Sequence, residues 1–152
     1  MTDLQKTLDR LNLKLPGPSS PVGAYRPVVL SGKMAFLSGQ ISKDAEGKVI
    51  AGKVGRELTL EAGRRAAQMS ALQAVSLIRS EMGLENVEQI LRVVGFVQSA
   101  DNFYSQSDVM NGASELLVEI FGERGKHART SIGVPSLPLN AAVELELTLK
   151  LK

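Results

Sequence analysis

The end of the chain carries the pattern that most constrains the fold. From position 143 to position 152, apolar and polar side chains alternate without interruption, in the order Val143, Glu144, Leu145, Glu146, Leu147, Thr148, Leu149, Lys150, Leu151, Lys152. Successive side chains of a β-strand point to opposite faces, so this alternation predicts a strand with one apolar and one charged face. A sheet that contains such a strand must bury its apolar face under other elements of the chain.

A β-hairpin is predicted near the start of the chain. Positions 25–30 and 34–37 are largely apolar and are joined by a short turn that contains Gly32, which is typical of two paired strands. A polar loop then leads to Val49 and Ile50, which predict the beginning of another short strand.

Helical periodicity begins after Thr59, which suits the N-cap position of a helix. One face of this predicted helix is formed by Ala67, Ala71, Ala74 and Ile78, and Gly83 suits the position where the helix ends. The β-rich stretch 90–97 predicts a strand covered on both faces. A second amphipathic helix, which ends at Gly122, has its apolar positions at Val109, Ala113, Leu116 or Leu117, and Ile120.

A separate segment precedes the hairpin. Positions 2–13 carry leucines at a roughly helical spacing, and the Pro- and Gly-containing run 16–21 interrupts that stripe. We therefore predict an N-terminal arm over residues 1–20 and one domain over residues 21–152. The order hairpin, helix, strand, helix, strands predicts an α+β fold in which two helices pack on one face of a mixed sheet.

Charge and composition narrow the function classes. The 18 Lys and Arg residues are nearly balanced by 16 Asp and Glu, and a net charge of +2 is too small for a surface that follows nucleic-acid phosphates. No run approaches the ~20 apolar residues that a membrane span requires. The chain has no cysteine, and acids interrupt its first ten positions, unlike a secretory signal. We expect a cytoplasmic protein that binds neither nucleic acid nor membrane.

Several common catalytic motifs do not occur in the sequence. There is no Gly-x-Ser-x-Gly, no Gly-Lys-Ser/Thr phosphate loop and no Gly-x-Gly-x-x-Gly. His127 is the single histidine, so a Ser-His-Asp triad would have to use it, and the usual ligands of a zinc site cannot be assembled. Because His127 follows Lys126, we expect it at the surface.

Four segments occur together in an order that is informative. They are Gly23-Ala24-Tyr25, Ser38-Gly39-Gln40-Ile41, the Asn111 of the second helix, and the run from His127 to Pro138 followed by Val143-Glu144-Leu145-Glu146. Together they resemble the Rid family of reactive intermediate deaminases, also called YjgF-like or L-PSP endoribonuclease proteins. The resemblance covers about residues 21 to 150.

The resemblance implies a fold like that of one chorismate mutase class, a homotrimer, and ligand clefts between subunits. It also implies hydrolysis of enamine/imine intermediates, such as 2-aminoacrylate, to a 2-keto acid and ammonia with neither metal nor organic cofactor. Three departures are Ala24 for the family's usual Pro, Pro27 for a common Gln, and Ser131 for the Cys of some members. They favour an alternative function, in which the chain binds small carboxylates in these clefts without turnover.

Arg129 and Glu144 are the predicted catalytic residues. The planar guanidinium of Arg129 suits bidentate binding of the substrate carboxylate, and the alternative is a surface salt bridge. Glu144 lies on the polar face of the last strand, where it would orient water or transfer a proton. Its alternative is a solvated strand residue paired with a Lys. Because Glu146 shares that face, only the family spacing ranks Glu144 first.

Four residues are predicted to bind substrate. Tyr25 would pack on the planar substrate, and the alternative is a strand aromatic in the core. Ser38 and Gly39 would supply hydroxyl and backbone N–H contacts, while Asn111 would contact substrate or else bond a neighbouring loop. A third hypothesis is ribonuclease activity, which is attributed to some relatives and would rest on His127.

Overall fold

The computed structural model describes residues 3–152 and contains a five-stranded mixed sheet. Its strands are β1 (Val28–Ser31), β2 (Met34–Ile41), β3 (Val87–Gln98), β4 (Ala128–Val134) and β5 (Val143–Leu151). They lie in the order β1-β2-β5-β3-β4, and β3 and β4 are parallel while the other neighbours are antiparallel. The strand predicted from alternation is thus the central one. The strand predicted at Val49 and Ile50 does not form, because Val49 makes only an isolated bridge with Lys43.

The described residues form three α-helices, which are α1 (Asp3–Arg10), α2 (Leu60–Glu81) and α3 (Gln106–Phe121). Thr59 caps α2 as predicted, since its side-chain oxygen accepts a hydrogen bond from the Ala62 N–H at 3.1 Å. Gly122 ends α3 with a φ of 63°, which glycine adopts without strain. Helix boundaries therefore follow from local sequence.

Helices α2 and α3 cover one face of the sheet and lie close to each other. At their crossing, a Cβ on Gly112 would lie 2.2 Å from the backbone oxygen of Arg64. The apolar side chains of β5, among them Leu145, Leu147 and Leu149, are buried beneath this layer. Full burial of one such side chain contributes about 1.5–3 kcal/mol. The arrangement confirms the predicted α+β fold with two helices on one face.

None of the helices formed by residues 3–152 covers the opposite face of the sheet. Val29, Phe36 and Ile132 lie on that face and are 51%, 46% and 42% exposed. The prediction that the strand over residues 90–97 is covered on both faces is therefore wrong for the single chain, which covers only its helix-facing side. Apolar side chains grouped on an open surface are typical of an interaction site.

The N-terminal arm packs along the helix layer. Leu8 and Leu13 are buried in the same core as the sheet, and the Ser76 hydroxyl of α2 donates a hydrogen bond to the Pro16 carbonyl at 2.6 Å. The predicted leucine stripe forms α1, although the first two positions of the predicted arm lie outside the described residues. Residues 19–22 continue from the arm to the edge of the sheet and contribute to the site described next.

Candidate functional site

Strand β2 is irregular at the point where β1 stops pairing with it. Leu37 of β2 lies opposite Leu147 of β5, whereas Gln40 lies opposite Leu145. Three steps along β2 therefore match two steps along β5, so residues 38–39 include the extra residue of a β-bulge. A bulge bends its strand and redirects the side chains that follow, and bulges are frequent beside active sites.

Ser38 fixes this bulge to the end of the hairpin. Its backbone N–H donates to the Pro27 carbonyl at 2.9 Å, and its hydroxyl donates to the Arg26 carbonyl at 2.7 Å. Because the hydroxyl proton is used inside the protein, Ser38 can offer a ligand only the lone pairs of its oxygen. Its predicted role as a hydroxyl contact is therefore narrowed to that of an acceptor.

A cavity of about 430 Å³ opens beside the bulge, a volume typical of small-molecule sites. Of the six predicted site residues, those that line this cavity are Tyr25, Ser38, Gly39 and Glu144. Residues 19–22, which connect the arm to the sheet edge, and residues 138–139 also line the cavity. Lys43 and Gln73, which the sequence patterns did not single out, also line the cavity.

Tyr25 lies at the mouth of the cavity. It precedes β1 and is 53% exposed, so the alternative of a buried strand aromatic is wrong. Gly23 turns the chain with a φ of 140°, and a Cβ on it would lie 3.2 Å from the Tyr25 ring. The ring thus presents an apolar surface and a hydroxyl to the same cavity, as the substrate-binding hypothesis requires.

Glu144 is half-buried in this cavity and lies directly against the bulge. A Cβ on Gly39 would stand 2.1 Å from Oε1 of Glu144, so a larger residue at position 39 would displace the carboxylate from this position. The pKa of Glu144 is raised above its ordinary value, mainly because its carboxyl group is partly buried and also because the negatively charged Glu146 is nearby. Glu144 forms no ion pair with any of residues 3–152, so its alternative role as a Lys-paired surface residue is wrong.

Arg129 lies elsewhere in the structure, on β4 beneath α3. Its Nη1 donates to Asn111 Oδ1 at 2.9 Å and to Ser114 Oγ at 3.1 Å. Its Nη2 donates to the hydroxyl of Ser107 at 2.8 Å and to the backbone oxygen of Ser107 at 3.2 Å. Arg129 therefore makes no salt bridge with any of residues 3–152; instead, it joins the edge strand to one face of α3.

Arg129 and Glu144 lie on opposite sides of the sheet. Arg129 points to the face covered by α3, as its hydrogen bonds show. Glu144 lies between the buried residues Val143 and Leu145 on β5, so its side chain points to the uncovered face. The structure thus divides the predicted site into a cavity that contains Glu144 and a cluster that joins Arg129 to Asn111.

His127 belongs to the Arg129 cluster and is partly buried, so its predicted place at the surface is wrong. Nδ1 lies 2.6 Å from the Gly125 carbonyl, and Nε2 lies 2.9 Å from Ser114 Oγ. This pattern fits a neutral ring that donates through Nδ1 and accepts through Nε2. Burial lowers the pKa of His127, the bond to Gly125 opposes that shift, and the Arg129 cation adds to it. Neither ring nitrogen is left free for acid–base cleavage of RNA.

The sequence did contain a signal for this cluster. Ser107, Asn111 and Ser114 are spaced by four and three positions, which places them on one face of a helix. Of these, only Asn111 was singled out. A polar strip on an otherwise apolar helix predicts a buried polar partner, and here that partner is Arg129.

The described part of the chain, residues 3–152, contains no group of three or more His, Asp or Glu side chains placed to hold a metal ion. None of its helices has the length and apolar character to cross a membrane.

Comparison with known proteins extends these observations over almost the whole chain. The family model described as "YjgF/chorismate mutase-like, putative endoribonuclease" matches residues 6–151. Protein TCP17 of Trypanosoma cruzi is 40% identical, covering 95% of this chain and 91% of that protein. A RutC family protein of Aquifex aeolicus is 29% identical, covering 89% and 94%. The structure of Agrobacterium tumefaciens Atu1372, of unknown function, superposes with a TM-score of 0.91 at 30% identity, covering 99% of this chain and 93% of that one.

Proposed function

Because this chain belongs to the YjgF/chorismate mutase-like family, we propose that it hydrolyses 2-imino acids and their enamine tautomers to 2-keto acids and ammonia. The observation that supports this most directly is Glu144, a half-buried carboxylate without an ionic partner among the described residues, in a cavity of small-molecule size. A carboxylate with a raised pKa is a better base for water. The proposed reaction needs no metal or organic cofactor, and the cysteine-free sequence suits a cytoplasmic location.

Glu144 is the base in the proposed reaction. It accepts a proton from a water molecule whose oxygen forms a bond to C2 of the imine, while the π electrons of the C=N bond move to nitrogen. Nitrogen takes up a proton from solvent water, which gives a tetrahedral carbinolamine. The Glu144 carboxyl returns its proton to the amino group, and the C–N bond breaks to release ammonia while the carbinolamine hydroxyl loses its proton to solvent water. One water is consumed, one ammonia is released, and Glu144 is again a carboxylate.

Arg129 is proposed to hold the substrate carboxylate. Its Nε donates to none of the described residues, and Nε with Nη2 forms one edge of the guanidinium that matches a carboxylate in a bidentate pair. Nη1 would keep its bonds to Asn111 and Ser114. The ligand would displace one of the two hydrogen bonds that Nη2 donates to Ser107, of which the longer measures 3.2 Å.

A homotrimer completes the proposed site. Since Arg129 and Glu144 lie on opposite faces of the sheet within one chain, they can act on one substrate only across an interface between copies. Two features favour such an interface: the uncovered apolar sheet face that includes Phe36 and Ile132, and the position of β4 at the sheet edge. In this arrangement the partner subunit's Arg129 faces the cavity of its neighbour.

The test of this function is the hydrolysis of freshly generated 2-aminoacrylate. The intermediate is formed from serine by a dehydratase in the presence of semicarbazide, which traps the imine as it tautomerises. We expect the protein to reduce semicarbazone formation and to accelerate keto-acid and ammonia release. A rate equal to that in buffer, at protein concentrations comparable to the dehydratase, would contradict the proposal.

A second candidate function is binding of small carboxylates without turnover. It is favoured by the four hydrogen bonds that already engage Nη1 and Nη2 of Arg129, an arrangement expected of a structural residue. Binding to the folded state alone raises the apparent stability of a protein. Thermal stabilisation by 2-keto acids, together with no acceleration of 2-aminoacrylate hydrolysis, would favour this function over the first.

A further inference from the structure

The cavity contains a cation that neither the family motifs nor the proposed reaction uses. Lys43 is the one Lys or Arg among the described residues that line it. Unlike Lys126 and Lys150, which pair with Glu123 and Glu88, Lys43 forms no ion pair or side-chain hydrogen bond with any of residues 3–152. Its ammonium group is therefore available to an anionic ligand.

Lys43 and the Glu144 carboxylate lie in different parts of the cavity. Ile41 lies opposite Glu144, and Lys43 follows two residues later. The Glu144 carboxylate extends the other way along β2, because its Oε1 lies against Gly39. Gly39 and Lys43 are four positions apart, a separation that corresponds to about 13 Å when a chain is fully extended. The pKa of Glu144 agrees with this separation, because it is raised by burial and by Glu146 and no effect of Lys43 on it is resolved.

A buried polar side chain lies beside Lys43. Gln73 of α2 is 6% exposed and lines the cavity. Its amide nitrogen donates to the Lys43 carbonyl at 3.4 Å, and its amide oxygen accepts no hydrogen bond from the described residues. The other buried polar residues of α2, Ser70 and Ser76, donate to backbone carbonyls and lie outside the cavity lining. The amide nitrogen of Gln73 has a second hydrogen, which can donate to an acidic group at this end of the cavity.

We propose that Lys43 and Gln73 form a subsite for an acidic group on the side chain of the ligand. This inference rests on the proposed function and specifies its substrate class, namely 2-imino acids that carry a second carboxylate. The α-carboxylate is held by the partner subunit's Arg129, the imine carbon lies at Glu144, and the side-chain carboxylate reaches Lys43.

Physical chemistry favours an anion at this position. An ammonium group is a compact, strongly hydrated point charge, and a ligand that fills the cavity removes part of its water. A carboxylate from the ligand restores that interaction with a charge-assisted hydrogen bond, whereas an apolar side chain leaves the ammonium without a partner. The subsite therefore discriminates between acidic and apolar side chains of equal length.

The test compares two imino acids of similar length, generated by amino-acid oxidases from glutamate and from methionine. We expect wild-type protein to prefer the glutamate-derived imine in kcat/KM. Lys43→Met should reduce kcat/KM for that imine by at least about 10-fold and leave the methionine-derived imine unchanged. Lys43→Arg should retain part of the preference. Lys48→Met, at an exposed lysine of the same loop that does not line the cavity, is the matched control.

A binding measurement separates failure of this subsite from failure of the proposed function. Calorimetry with 2-oxoglutarate and with 4-methyl-2-oxopentanoate requires no turnover. Tighter binding of 2-oxoglutarate that is lost in Lys43→Met supports the subsite even if no imine is hydrolysed. Equal binding of the two keto acids by the wild type, or a preference that survives in Lys43→Met, overturns it.

Discussion

The two halves of the predicted site differ in how completely the chain satisfies its own polar groups. Arg129 donates hydrogen bonds to Ser107, Asn111 and Ser114, and Ser114 is in turn hydrogen-bonded to His127. The buried hydroxyl oxygen of Ser131, two positions along β4, is the exception, because it has no hydrogen-bond partner among the described residues. In the cavity, Glu144 has no ionic partner among the described residues. Polar clusters whose hydrogen bonds are formed rigidify a fold. A partly buried charge without a partner destabilises the folded state unless it is neutralised by a proton or binds a ligand. We therefore expect the Arg129 cluster to contribute more to the stability of the subunit, and we propose the cavity as the place where the ligand reacts.

The largest effect is expected from removing the unpaired carboxylate. Glu144→Gln keeps the shape of the side chain but cannot accept a proton, so kcat/KM for 2-aminoacrylate should fall by roughly 100-fold or more. The control is Glu146→Gln, at a residue two positions further along the same face of β5. Both variants are assayed at pH 8. That variant should retain most of the activity. Comparable losses in the two variants would remove Glu144 from its proposed role.

The next effect tests whether the two halves act across an interface. Arg129→Lys keeps the charge but loses the bidentate fork, and it should be nearly inactive alone. When it is unfolded and refolded together with Glu144→Gln, mixed trimers contain sites with an intact Arg129 from one subunit and an intact Glu144 from its neighbour. Random mixing restores roughly a quarter of the wild-type sites.

Two controls accompany this mixing experiment. Each variant refolded alone should remain inactive, and size-exclusion chromatography with light scattering should give the same mass for all samples. Failure to recover activity from equal mixtures of correctly assembled protein would place Arg129 outside the site and leave it a structural residue of its own subunit. The two halves would then differ in kind and would not be parts of one site.

Fold and site were predictable from the sequence to different degrees. The central strand β5 follows from alternation because its apolar face meets helices of the same chain. Strand β4 shows no such alternation, because Arg129 on its helix-facing side meets the polar strip of α3. Strand β3 is covered on one face by helices of the same chain and is open on the other, and its β-rich sequence does not distinguish this arrangement from coverage on both faces. Lys43 and Gln73 reach the cavity only through tertiary packing, since they are 30 positions apart.

The acidic side of the pH–rate profile tests the electrostatics of the cavity. Because Glu144 must be ionised to act as a base, kcat/KM should fall as the pH drops through its raised pKa. Glu146→Gln removes a like charge and should move this fall to lower pH. The measurement is kcat/KM for both proteins from about pH 4 to about pH 8, the range in which carboxyl groups and histidines usually titrate. Superimposable profiles would show that Glu146 does not influence the base.

The smallest effect concerns His127 and the stability of the Arg129 cluster. Its pKa in the folded state is below the ordinary value of 6.5, so the unfolded chain binds the proton more readily. The stability that the neutral ring contributes is present above pH 6.5 and is lost as the pH falls through the lower, folded-state pKa. Between pH 8 and pH 5, the Tm of the wild type should therefore decrease by about 2–4 °C more than that of His127→Gln.

Glu144 supplies the opposite sign and thereby sharpens this last measurement. Its folded-state pKa is raised, so its contribution to stability is present at low pH and is lost as the pH rises through that pKa. Glu144→Gln should consequently raise the Tm at pH 8 and leave it unchanged near pH 4. The same series of Tm values thus distinguishes the Arg129 cluster, which is destabilised when His127 is protonated, from the cavity, which is destabilised when Glu144 ionises. If His127→Gln and wild type lose Tm in parallel as the pH falls, His127 does not contribute to the acid sensitivity of the cluster.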